Sequence, residues 1–327
     1  MTQTTQYIGL AKATDAATDL HRFSHKAMAT IYEIFIVHED ANYAQQAAYE
    51  AFFELDKLEQ ELSRFIENSD ISRINNLPEN QSIRIGLAAF ECLECSAQIY
   101  KETDGAFDIT VGPLLKCWLN KDKTVRIPSE KELEFARQRT GLHLLQLDEN
   151  EHTVSVHASP LRVDLGGIGK GYAIDKLVEL LRDWEIDSAL IHGGASSVFA
   201  LGTPPGTKGW PLTLSRPLLN PKQTLMRLNL RDQALSGSGL QKGQHIIDPR
   251  SARPVQGNRA AWAWAANAAT SDALSTAFMI MSPDEVEKYC SRNQDVLAMI
   301  LTEEDGGEEA GIQHFGSWDK FSVTILK

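Results

Sequence analysis

The stretch VDLGGIGKGYAID, Val163 to Asp175, constrains this chain more than any other. Its four glycines, Gly166, Gly167, Gly169 and Gly171, cannot all serve inside a regular element, because each weakens a helix or strand interior by roughly 0.5–1 kcal/mol. They read as a turn. LRVDL leads in as a short strand-like run, and YAIDKLVELLRDW leads out with helical spacing. The predicted order is strand, glycine turn, helix.

That order often holds a phosphate, but neither familiar fingerprint fits. The P-loop pattern needs glycine where Asp164 stands and Ser or Thr where Gly171 follows Lys170. The dinucleotide pattern fits Gly167 and Gly169 and then meets Tyr172 in place of its third glycine. The underlying physics survives. Glycines admit backbone N–H groups close to an anion, a helix N-terminus adds partial positive charge, and Lys170 adds a full one. An anion cradle and a purely structural turn both remain open.

Around this stretch, helix and strand patterns alternate. TIYEIFIV reads as a half-buried strand. In the next segment Ala44, Ala48, Ala51, Leu55, Leu58 and Leu62 recur at helical spacing. A second helix carries Cys92 and Cys95, and TDGAFDITVGPL breaks it with Gly105, Gly112 and Pro113. SALIHGGASSVFALG reads as a strand pair about a glycine turn, PLTLSRPL and QTLMRLNLRD as strands, and TSDALSTAFMIM and SPDEVEKYCSR as helices. This mixture predicts an α+β fold of two interleaved units sharing one core. The expected divisions are a polar leader at 1–25, the main domain at 26–303, and an acidic loop with a C-terminal strand at 304–327.

A net charge of −12 excludes broad affinity for nucleic acid or anionic membranes, which depends on clustered Lys and Arg. The C-x-x-C of Cys92 and Cys95 lacks the second ligand pair that zinc would need, so it reads as ordinary helix packing. No apolar run has the length of a membrane span or signal peptide, so the chain as written is expected to be cytoplasmic.

Two further segments carry chemistry. Asp272 and Thr276 are four apart, which puts two hard oxygen donors on one face of a helix, a pairing that suits Mg²⁺. Read alone, Asp272 is also a first-turn residue that favours the helix dipole. In GQHIIDPRSARPV, His245 falls near a strand end before the turn former Asp248-Pro249. A histidine there can act as a general base or simply be a satisfied structural residue.

Six segments, in this order, resemble the FAD:protein FMN transferase (ApbE-like) family: AMATIYEI, ELSRFIENSDISRINN, TDGAFDITVGPLLKCW, VDLGGIGKGYAID, HIIDPRSARPV and SDALSTA. They run from about Met28 to about Met281. The resemblance implies two tandem T-fold-like units with an FAD cleft between them. It also implies Mg²⁺-dependent transfer of FMN from FAD to a Thr or Ser hydroxyl of an acceptor protein, releasing AMP. By position, Asp272 and Thr276 match the metal's side-chain ligands, and Gly167 matches the residue that lends a carbonyl. His245 matches the proposed base, and Ile246 a flavin contact. Met28, Phe65, Ala106, Phe107, Asp108, Asp164 and Lys170 match FAD contacts, Lys170 being the charge partner of the phosphate.

Three departures stand out. Phe65 occupies a position where the family commonly has Tyr. Met28-Ala29-Thr30 replaces Met-Gly-Thr. HGGASS, His192 to Ser197, replaces Asn-x-Gly-Gly-Asp, so Ser196 or Ser197 is expected to supply hydrogen bonds in place of a carboxylate, with His192 as a second acid/base candidate or a structural residue. Two alternatives accompany the transferase reading: hydrolysis of FAD to free FMN and AMP by the same residues, and an inactive flavin-binding protein.

Overall fold

The structure is a computed structural model that describes residues 8–10, 19–120, 124–215, 224–240, 246–302, 311–318 and 323–325. The chain opens with strands β1 (Ile8–Leu10), β2 (Leu20–Ala27) and β3 (Thr30–Val37), then helices α1 (Ala41–Leu62) and α2 (Asp70–Asn75). Strand β4 (Gln81–Arg84) precedes helices α3 (Leu87–Glu102), α4 (Gly112–Trp118) and α5 (Glu130–Arg137). Strands β5 (Leu145–Asp148) and β6 (Thr153–Val156), helix α6 (Gly169–Asp183), and strands β7 (Ala189–Gly193) and β8 (Ser197–Leu201) follow. Next come β9 (Trp210–Ser215), β10 (Thr224–Leu230), β11 (Gln233–Gly239), β12 (Ile247–Asp248), β13 (Arg253–Pro254) and β14 (Asn258–Ala265). Helices α7 (Ala268–Phe278) and α8 (Pro283–Arg292) and strands β15 (Leu297–Thr302), β16 (Ile312–Phe315) and β17 (Val323–Ile325) complete the order.

Eight described strands form one antiparallel sheet in the order β2-β3-β7-β8-β11-β14-β15-β16. The order exposes a tandem repeat. Strands β2 and β3, helices α1 and α6, then β7 and β8 make one unit; β11 and β14, helices α7 and α8, then β15 and β16 make the other. The β8–β11 ladder, with Ser197 opposite Ser236, joins them edge to edge. The expected α+β class and the paired units are both present.

Helices cover one face of this sheet over the larger apolar core, which includes Ile34, Leu55, Leu177, Ala263 and Phe278. The sheet β1-β9-β10-β17 covers the other face over Trp210, Leu212, Trp262 and Trp264. With both faces buried, β14 (NRAAWAWA) and β15 (LAMILT) are nearly continuous apolar runs, whose burial cannot be told from that of a core helix by periodicity. Sequence reading passed over both. Strand β2 crosses the boundary expected at residue 25, and most of the acidic loop at 304–310 lies outside the described residues.

Local chemistry explains the elements nearest the site. Helix α1 starts where Asp40 accepts hydrogen bonds from the N–H groups of Asn42 and Tyr43, and the six residues predicted to line its apolar face are buried. The β2–β3 hairpin turns on Met28 and Ala29, both at positive φ (49° and 57°), as a two-residue type I′ turn demands. LRVDL, expected as a strand, forms no ladder. Asn75 pins it instead: its amide donates to Val163 O (3.0 Å) and its carbonyl accepts from Val163 N–H (2.5 Å). Gly112-Pro113, expected only to break a helix, begins α4, where proline suits the first turn.

Candidate functional site

The N-terminal ends of α6 and α7, one from each unit, meet above the β8–β11 joint. Lys170 Nζ donates to both carboxylate oxygens of Asp272, at 3.1 and 2.9 Å. The Gly171 N–H donates to Asp272 Oδ2 (3.2 Å), and Ser197 Oγ on β8 donates to Oδ1 (3.0 Å). Asp272 is 3% exposed, and the Lys170 side chain 24%. Lys170 is therefore a partnered cation at the rim of a buried carboxylate. Ser197 supplies the hydrogen bond expected of the altered HGGASS turn.

One turn further along α7, Thr276 Oγ1 lies 3.1 Å from Ser238 Oγ on β11, which also contacts Ser275 Oγ (2.9 Å). Gly167 faces this hydroxyl. A methyl group placed on Gly167 would lie 3.1 Å from Thr276 Oγ1 and 3.2 Å from the Phe107 ring. Asp272, Thr276, Gly167, Lys170 and Phe107, predicted separately, are thus gathered in one place. Sequence reading missed Ser238, and its only signal was a polar residue in the strand QALSGSG.

The donor set fits a magnesium ion. It offers one carboxylate, one hydroxyl and, close to that hydroxyl, the backbone of Gly167, whose carbonyl is also a hard oxygen, and Mg²⁺ uses few protein ligands. Cys92 and Cys95 both lie on α3, Cys92 buried and Cys95 half-buried.

One expectation needs correction. Asp272 is in the second turn of α7, not the first, and is buried against α6 and β8, so its partners rather than the dipole of its own helix explain it. In the glycine turn, read as either an anion cradle or a structural turn, several amides already have partners. The N–H groups of Ile168 and Gly169 bond to Leu165 O, that of Gly166 to Asp164 Oδ1, and that of Gly171 to Asp272. The glycines serve close approach instead. A methyl on Gly171 would fall 2.1 Å from Ala268 O at the start of α7.

The remaining predicted residues have partners and surroundings of their own. Asp164 pairs with Arg64 (3.0 Å), whose guanidinium lies 4.7 Å from the centre of the Phe65 ring. Phe65 is 81% exposed, an aromatic face open for stacking. Ala106, Phe107 and Asp108 are buried behind Gly105. Burial pushes the Asp108 carboxyl up to about 6, while hydrogen bonds from the Thr110 N–H (2.7 Å) and hydroxyl (2.6 Å) oppose the rise. Met28 Sδ accepts from the Tyr32 hydroxyl (3.3 Å), and Tyr32 is pushed up first by burial and then by the Asp272 charge. Ile246 is buried, its carbonyl accepting from Val255 N–H (3.0 Å), and His245 lies outside the described residues.

His192 is not part of the centre. Side chains alternate along β7, so its ring lies with Phe35 on the opposite face of the sheet, under the smaller sheet. Burial lowers its pKa to about 4, and Nε2 has no hydrogen-bond partner among the described residues. It is a neutral core residue.

Tandem strand–helix–strand units with a lysine-clasped carboxylate and a hydroxyl where their helices meet define an α+β protein with a polar centre beside a glycine turn. The model of the ApbE family matches residues 28–301, and the chain belongs to that family. It is similar to the FAD:protein FMN transferase of Escherichia coli strain K12, with 27% identity over 307 residues, covering 88% of this chain and 86% of the relative. The flavin transferase ApbE of Vibrio cholerae aligns with a TM-score of 0.81 at 22% identity, covering 92% of this chain and 99% of that one. The Pseudomonas stutzeri flavinyl transferase ApbE, in its apo form, gives 0.81 at 24% identity over 93% and 96%.

Proposed function

We propose that this chain transfers FMN from FAD to a Thr or Ser hydroxyl of an acceptor protein and releases AMP, with Mg²⁺ as the required ion. The relatives' names support the flavin-transfer part. The observation that carries the rest is the meeting of Lys170, Asp272, Thr276 and Gly167 across two helices from different units.

In this reading the Asp272 carboxylate, the Thr276 hydroxyl and the Gly167 carbonyl hold the ion. When bound, Mg²⁺ neutralises charge on the pyrophosphoryl group and favours departure of AMP. Lys170, paired with Asp272 at 2.9 Å, would supply positive charge to the phosphate beside the ion. Phe65 supplies a stacking surface for a ring of FAD, and Phe107 walls the site beside Gly167. His245 takes the proton of the acceptor hydroxyl as that oxygen bonds to the FMN phosphorus and the bond to the AMP phosphate oxygen breaks.

Purified protein is incubated with FAD, Mg²⁺ and a protein acceptor, and covalent FMN and AMP are measured together. Asp272→Ala is expected to abolish metal-dependent turnover. Undiminished transfer by that variant refutes the site. Steady AMP release without any acceptor indicates a diphosphatase, and tight FAD binding without AMP under any divalent metal indicates an inactive binding protein.

A further inference from the structure

Asp175, the second aspartate of the glycine stretch, has no part in the chemistry above, yet its carboxylate ties together the two helices that carry that chemistry. It lies on α6 one turn beyond Gly171, on the face turned toward α7. One oxygen accepts from the Ala268 N–H (2.6 Å), the other from the Ala269 N–H (2.8 Å). These are the first two residues of α7. The third amide, of Thr270, is met by the Asn267 side chain (2.8 Å).

The leading amides of a helix lack partners inside it, and most helices satisfy them from the residues just before. Here two are satisfied by a carboxylate borrowed from another element. The partial positive charge of the helix end strengthens such bonds. Burial pushes the Asp175 carboxyl up to about 6, with the two amide bonds opposing the rise, so the group is kept in a costly place. Its grip is close to the working residues: Ala269 is one turn ahead of Asp272, and Gly171 is one turn ahead of Asp175.

We propose that Asp175 is a positioning residue for the divalent-cation site: by clasping the first two amides of α7 from α6, it sets the gap across which Gly167 faces Thr276 and Gly171 meets Asp272. The inference rests on reading those three residues as the magnesium site. Asp175 touches neither the ion nor FAD and acts through the placement of α7.

Calorimetric titration of the full chain with Mg²⁺, alongside thermal unfolding, tests this. Asp175→Asn should weaken Mg²⁺ binding by about tenfold or more, the usual effect of losing a group that orients metal ligands. Asn267→Ala removes a cap from the same helix without untying it from α6; it should lower the melting temperature yet stay within about twofold of the parent in affinity. Parent-like affinity in Asp175→Asn overturns the proposal, and so does equal weakening in Asn267→Ala, which would reveal general loosening of α7. If Asp175→Asn fails to fold, Asp175→Glu keeps the charge but displaces the oxygens by one methylene and should weaken binding likewise; unchanged affinity there overturns it too. A parent chain that binds no divalent ion would instead overturn the metal-site reading itself.

Discussion

Replacing Gly171 by alanine tests the joint between the two units directly. A methyl at that position would sit 2.1 Å from Ala268 O, 2.5 Å from Ala268 C and 2.8 Å from Ala269 N, all backbone atoms that cannot rotate away. The nearest approach falls 1.3 Å short of the 3.4 Å at which contact becomes ordinary, so α6 and α7 must separate by roughly that distance. Such a shift takes the Gly171 N–H, now 3.2 Å from Asp272 Oδ2, out of hydrogen-bonding range. Overpacking costs about 1–3 kcal/mol, and loss of a hydrogen bond to a charged acceptor about 1.5–3 kcal/mol. The better helix propensity of alanine returns about 1 kcal/mol. The net expectation is about 1.5–5 kcal/mol of destabilisation, read by urea unfolding, together with loss of flavin transfer. A Gly171→Ala protein that unfolds at the parent's urea concentration with full turnover would show that the helices are not held at this spacing.

Two further outcomes follow from the backbone and from burial. Ala29 is exposed at φ 57°, a conformation that costs an L-residue roughly 1–2 kcal/mol, so Ala29→Gly should stabilise the fold by about 0.5–1 kcal/mol after the added chain entropy of glycine, measured as a higher urea midpoint. His192 is neutral in the fold with its pKa lowered to about 4, whereas the unfolded chain protonates it near 6.5. The unfolded state then binds more protons between those values, so His192 contributes stability that is present above pH 6.5 and lost as pH falls toward 4. Replacing it with leucine should remove about 2 kcal/mol of the stability change between pH 7 and pH 5; an identical pH dependence in both proteins would refute the assignment.

Much of the site could be read in the sequence because its parts lie in short, chemically marked segments. The four-residue spacing of Asp272 and Thr276 fixes their common face on any helix, and Lys170 beside Gly169 and Gly171 marks a place of close approach. Less legible was what those marks meant. The glycines invited an anion reading, but the structure uses Gly171 for contact with α7 and its amide for Asp272. The polar residues Ser238 and Asp175 gave no pattern of their own, since each gains meaning only from a partner about 40 or 90 residues away.

The sequence by itself determined local matters: where the chain turns, which faces of α1 and α6 are apolar, and which side chains can supply hard oxygen or positive charge. Those depend on periodicity and on the chemistry of neighbouring residues. Only the tertiary structure decided that one unit's lysine clasps the other unit's aspartate, and that His192 faces away from them. Such pairings cross the joint between β8 and β11, and no local propensity encodes which distant segments a sheet will bring side by side.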